Sequence, residues 1–68
     1  MRISARNMLK GTIKSVARGT TTSHVVIDVG GAAVTASITN QAVDDLALAS
    51  GKPAYAVIKA SDVMVAID

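Results

Sequence analysis

Sixty-eight residues make one domain with little room for a core, and the absence of cysteine excludes disulfide staples and thiolate metal centres. Half of the residues are hydrophobic, but they are mostly Ala, Val and Ile, and Tyr55 is the sole aromatic, so the large rings that usually dominate a small core are missing. The formal charge of +2, from seven Lys and Arg against five Asp, forms no run that would mark a nucleic-acid or membrane surface. A domain this small, without disulfides or a metal, is usually reinforced by association. His24 alone cannot build a zinc site. The excess of small apolar side chains therefore predicts a subunit interface, in preference to an Ala-rich exterior on a monomer. Met1–Lys10 lacks the apolar centre of a signal peptide. No apolar stretch approaches the roughly 20 residues that span a bilayer. The cytoplasm is the expected compartment.

In chain order, Leu9–Val16 alternates in type and reads as a first strand, with Leu9 and Ile13 on one face. Arg18-Gly19 marks a turn. Thr20–Val29 is β-branched almost throughout, and Val25, Ile27 and Val29 share a face at period two. Gly30-Gly31 predicts a tight hairpin, because both positions accept positive φ. The return strand spans Ala32–Thr39, with Val34, Ala36 and Ile38 facing one way. Asn40 reads as the N-cap of a short helix over Gln41–Leu48, with Val43 and Leu46 towards the barrel. Asp44 and Asp45 are read as lying near its positive end. Ser50-Gly51-Lys52 and Pro53 stop the helix. Ala54–Lys59 is a fourth strand, Ala60-Ser61-Asp62 a turn, and Val63–Ile67 a fifth strand. The expected fold is all-β: an OB-like five-stranded Greek-key barrel with one short helix between the third and fourth strands, in a single domain over residues 1–68.

Two polar clusters combine a cation with hydroxyl and small residues: Ser4-Ala5-Arg6-Asn7 before the first strand, and Lys59-Ala60-Ser61-Asp62 at the last turn. Arg6 offers a planar fork matched to oxyanion geometry, and Lys59 a compact point charge. Ser4, Ser61 and Asn7 add donors, and Ala5 and Ala60 leave their backbone N–H groups unobstructed. Micromolar affinity for a dianion corresponds to about 8 kcal/mol, against about 1.5–3 kcal/mol for each charge-assisted hydrogen bond. One cluster supplies too few such bonds, whereas both together would suffice. On spacing alone, a solvated N-terminal arm and an ordinary polar turn explain the two segments better. His24, beside Thr20–Ser23, reads first as a surface strand residue. No carboxylate pair, phosphate loop or nucleophile with a base points to an enzyme.

Two stretches, Ile3–Gly11 (ISARNMLKG) and Tyr55–Met64 (YAVIKASDVM), carry a specific resemblance over nearly the whole chain. The chain resembles the molbindins, the molybdate-binding Mop proteins of about this length. It is similar as well to the homologous domain of molybdate-responsive regulators and of molybdate-importer ATPase subunits. The resemblance implies an OB-like barrel and a homohexamer built as a trimer of dimers. Molybdate or tungstate would sit at subunit interfaces, held through its oxygens, with no metal coordinated directly by the protein and no organic cofactor. The residues it implies are Ser4, Ala5, Arg6, Lys59, Ala60 and Ser61, with Asn7 in support. It implies a second class of oxyanion site, for which Thr22, Ser23 and His24 are candidates. The implied function is cytoplasmic storage and buffering of the oxyanion, without chemistry on it. No attached DNA-binding or ATPase domain is seen, so a regulator or importer role is not expected. The alternative is an OB-type module for single-stranded nucleic acid. Such modules stack bases on aromatics over a basic groove, which one tyrosine and a charge of +2 do not provide.

Overall fold

β-Branched alternation sets the backbone course. The computed structural model describes residues 1–68. Its strands are β1 (Asn7–Arg18), β2 (Thr22–Asp28), β3 (Ala33–Thr39) and β4 (Pro53–Ile58), with one helix, α1 (Asn40–Asp45), between β3 and β4. A 3-10 turn over Ala60–Asp62 follows β4. The strands form one antiparallel sheet in the order β3-β2-β1-β4. The expected hairpin forms: Gly30 and Gly31 have φ of 90° and 94°, and the Val29 N–H donates to the Ala32 carbonyl across them at 2.8 Å.

The long β1 serves both neighbours and curls the sheet. Its N-terminal half pairs with β4, from Asn7↔Ile58 to Thr12↔Pro53, and its C-terminal half pairs with β2. Near the changeover an extra residue, Lys14, bulges between Ile13 and Ser15, which bends a strand and raises its twist. The loop before β4 takes up the freed backbone groups. The Ile13 N–H donates to Lys52 O at 2.9 Å, the Gly51 N–H to Ile13 O at 2.8 Å, and the Ser50 hydroxyl to Lys14 O at 2.9 Å. Gly11 allows the strands to cross closely, because a Cβ there would lie 2.1 Å from the Asp28 carbonyl oxygen.

Inside the curl, Ile13, Val25, Ile27, Val43 and Ala56 are buried, with Val16, Val29, Val34, Ile38, Leu48 and Ala54 packed against them. That core is small. Next to it an open groove of about 580 Å³ lies between the unpaired edges of β3 and β4, lined by apolar side chains that include Val34, Ile38, Leu48, Ala54 and Ile58.

Several expectations are corrected. There are four strands and not five: Val63–Ile67 joins no strand, and Val63, Met64, Val65 and Ile67 are 49–93% exposed. Strand propensity needs a neighbouring edge to hydrogen-bond, and within one chain this tail meets none. β4 stops at Ile58, so Lys59 instead caps the 3-10 turn. Thr39, not Asn40, is the N-cap of α1; its hydroxyl accepts from the Ala42 N–H at 3.1 Å. The helix ends at Asp45, short of Leu48, because Ala47 turns left-handed (φ 52°). The Leu48 N–H then reaches back to Val43 O and the Ala47 N–H to Asp44 O, a helix-stopping pattern. Leu46 is largely exposed but lines the apolar groove beside the core, whereas Val43 is buried as expected. Asp44 and Asp45 lie in the last turn rather than the first, and Arg18 holds Asp44 by two hydrogen bonds of 2.8 and 3.3 Å.

Candidate functional site

The ladder between β1 and β4 brings the two polar clusters together. Its last pair is Asn7↔Ile58. One residue beyond it on one strand is Arg6, and one residue beyond it on the other is Lys59. Ser4-Ala5-Arg6 and Lys59-Ala60-Ser61 therefore leave the same end of the same two strands, although more than fifty positions separate them in the sequence. Ser4, Arg6, Lys59, Ala60 and Ser61 are exposed, and Ala5 and Asn7 are half-buried. Asn7 bonds across this end, its carboxamide Nδ2 donating to Ile58 O at 3.3 Å.

The electrostatics of this end are lopsided. Arg18–Asp44 is the single ion pair of the chain, so neither Arg6 nor Lys59 has a carboxylate partner. Asp62 is in the same turn, but it pairs with neither cation; its backbone N–H donates to Lys59 O at 2.9 Å. Two unpaired cations just beyond the last pair of a ladder leave that end with excess positive charge, which an anion would offset. By contrast, at the exposed Arg18–Asp44 pair the guanidinium's hydrogen bonds and charge hold the Asp44 carboxyl below its ordinary range and raise the Arg18 pKa.

Thr22, Ser23 and His24 are not brought onto one face. They are consecutive on β2, so their side chains alternate. Thr22 and His24 are exposed beside Thr39 and Ser37 of β3. Ser23 is fully buried. Its hydroxyl donates to Asn40 Oδ1, the Asn40 Nδ2 donates to Gly19 O at 3.0 Å, and the Asn40 backbone N–H donates to Thr21 O at 2.9 Å. Asn40 thus ties the β1–β2 turn to the start of α1. Sequence reasoning missed this role, because an Asn at a strand–helix junction has a sufficient local explanation as a cap. This group flanks the C-terminal end of β1 (Ala17↔His24, Arg18↔Ser23), while Asn7 starts it. Eleven residue steps separate those ends, roughly 35 Å of extended chain, so within one chain the two groups cannot hold the same ion.

No group of three or more His, Cys or Asp side chains is arranged to hold a metal ion. No helix is long and apolar enough to cross a membrane.

The model of the TOBE domain family matches residues 3–65. A probable molybdenum-pterin-binding protein of Haemophilus influenzae is 48% identical over 100% of both chains. The molybdenum transport protein ModE of Herbaspirillum seropedicae is 53% identical over 96% of this chain, which spans only 24% of that longer protein. Among solved structures, a molybdate-binding protein from Sporomusa ovata superposes with a TM-score of 0.93 at 37% identity, covering 98% of this chain and 100% of the other.

Proposed function

The chain belongs to the TOBE domain family, as one of its molbindin (Mop) members, and on that premise we propose that it binds molybdate or tungstate at subunit interfaces of a cytoplasmic homo-oligomer. Its task is to store and buffer the oxyanion rather than to transform it. The observation that supports this is that Arg6 and Lys59, neither in an ion pair, each lie one residue beyond the last pair of the β1–β4 ladder. Ser4 and Ser61 beside them supply hydroxyl donors, and Ala5 and Ala60 leave the backbone open. Such a surround is rich in donors, with two cations and backbone N–H groups, which suits an anion without protons. Phosphate is partly protonated near neutral pH, and an O–H left unpaired in the site costs about 1–3 kcal/mol. Sulfate is excluded by size, since a site set to a larger tetrahedron leaves it stretched, weak hydrogen bonds. Thr22 and His24 are the exposed candidates for a second oxyanion site; Ser23 contributes to it only by holding the turn.

The exposed clusters need a second wall to desolvate the ion, which supports an interfacial site. The fold supplies a reason to associate. The edges of β3 and β4 are open, the groove between them is apolar, and Val63–Ile67 is an exposed apolar tail. Five residues of strand span about 16 Å, within the length of the seven-residue β3. A tail from a second copy on these edges would complete five strands and an OB-like barrel. We propose a hexamer, a trimer of such dimers. The cytoplasm suits a small chain without cysteine, because small secreted domains are typically disulfide-dense.

Titration calorimetry with molybdate, tungstate, sulfate and phosphate, coupled to light scattering, tests the proposal. Molybdate and tungstate should bind with Kd of about 1 μM or tighter, sulfate should fail to displace them, and the mass should be six times 6.9 kDa. Equal competition by sulfate would reduce the site to a generic anion patch. A monomeric mass would remove the interface.

A further inference from the structure

We propose that Asn7 is a positioning residue for this site: its carboxamide clamps the open end of the β1–β4 ladder and so sets the spacing of Arg6 and Lys59, without itself touching the ion. The proposal rests on the oxyanion function above and adds a residue that acts through another.

β4 is an edge strand, held along its length by β1 alone. Its last ladder pair is Asn7↔Ile58, and beyond Ile58 the chain leaves the sheet for the 3-10 turn. Strand ends with one neighbour fray at low cost in free energy. At this end the outermost cross-strand side-chain bond is Asn7 Nδ2 to Ile58 O, at 3.3 Å and partly buried. Ile58 is covalently joined to Lys59, and Asn7 to Arg6. The clamp therefore joins the two backbone segments that carry the unpaired cations, one residue from each. Without it the outermost pair is held by backbone hydrogen bonds alone and frays more readily, so the spacing of the two cations beyond it is less fixed. The amide has two donors. The one spent on Ile58 goes to the carbonyl of its own ladder partner and so adds a side-chain bond to the outermost backbone pairing.

The test is a double-mutant cycle on the full chain, read by molybdate calorimetry at one protein concentration. In the parent, Arg6→Ala and Lys59→Ala should be coupled, the double variant losing about ten-fold less affinity than the two single losses multiplied together. In an Asn7→Leu background, of similar size but with no donor, molybdate should bind about ten-fold more weakly. There the coupling should shrink to within about two-fold of simple multiplication, with the mass of the assembly and its Tm close to the parent's. Should leucine lower the Tm, Asn7→Thr serves instead; it favours a strand, is too short to span the pair, and carries the same expectation. A role confined to folding would lower the Tm and leave the coupling intact, and that result overturns the clamp. So does an Asn7→Leu variant that binds as the parent does. Side-chain amide NMR gives an independent reading: the Asn7 NH₂ should be hydrogen-bonded before molybdate is added and should shift little afterwards. A shift as large as that of the Arg6 Nε–H would mean that the amide contacts the ion, which also overturns the proposal. A parent chain that takes up no molybdate overturns the oxyanion function and the clamp together. A parent that binds, with a variant that matches it, overturns the clamp alone.

Discussion

Replacing Gly11 by alanine should be among the most damaging single-methyl changes in this chain. Gly11 lies in β1 where the strand passes from its β4 ladder to its β2 ladder. A Cβ there would stand 2.1 Å from Asp28 O, 2.9 Å from Asp28 C and 3.0 Å from Ile27 Cγ2, whereas ordinary contact begins at 3.4 Å. The first neighbour is backbone in a paired strand, so the missing 1.3 Å must come from separating β1 and β2 and not from a rotamer. A separation of that size breaks neighbouring ladder hydrogen bonds, each worth about 1 kcal/mol net. Overpacking adds about 1–3 kcal/mol. Two bonds and mid-range strain come to about 4 kcal/mol, from which the stiffer unfolded chain of an alanine variant removes about 0.4–1 kcal/mol of difference. With about 3 kcal/mol remaining, and about 4–8 °C of Tm per kcal/mol in a domain this small, the Tm should fall by roughly 12–24 °C. Thermal unfolding followed by circular dichroism, at one protein concentration because association shifts the midpoint, measures it. Gly19→Ala is the control: its closest neighbour is Thr22 O at 2.9 Å in an exposed turn, so its loss should be well under half as large. A Gly11→Ala loss below about 5 °C would show that the crossing of β1 and β2 is not as tight as described.

Ala47→Gly should raise stability by about 0.5–1 kcal/mol in chemical denaturation, since Ala47 holds φ 52° at the end of α1 and glycine adopts that geometry without strain. Ser23→Ala should cost about 1–3 kcal/mol by the same assay, because Asn40 Oδ1 loses its buried donor. Val65→Asp should leave the fold of each chain intact but lower the mass seen in light scattering, as it puts a charge on the tail proposed to fill an apolar groove. The Asp44 carboxyl is held below its ordinary value by Arg18, so the pair stabilises the fold above the carboxylate range and loses that effect as pH falls through it. The Tm gap between the parent and Asp44→Asn should therefore narrow from about pH 7 to about pH 3. It should narrow in about 1 M salt too, because both groups are exposed.

Local chemistry makes much of this protein legible in its sequence. Period-two runs of Val and Ile locate the β2 and β3 strands, since a half-buried strand needs that alternation. Gly30-Gly31 locates their hairpin, since few other residues accept positive φ twice in succession. The clusters around Arg6 and Lys59 stand out as donor-rich cations, and their family resemblance is a matter of sequence alone. What required tertiary structure is what depends on a distant partner. The ladder ending at Asn7↔Ile58 puts at one end of two strands a pair of clusters whose composition alone is that of an ordinary arm and turn. Ser23 and Thr22 are both small hydroxyl residues, yet burial separates them, because the pleat turns one inward to Asn40 and the other to solvent. Val63–Ile67 has the composition of a strand and is not one, because a strand exists only against an edge that its own chain does not bring to it. Propensity and pattern act within a few residues, whereas hydrogen-bond partners, close approaches and shared charge are settled only when the sheet curls.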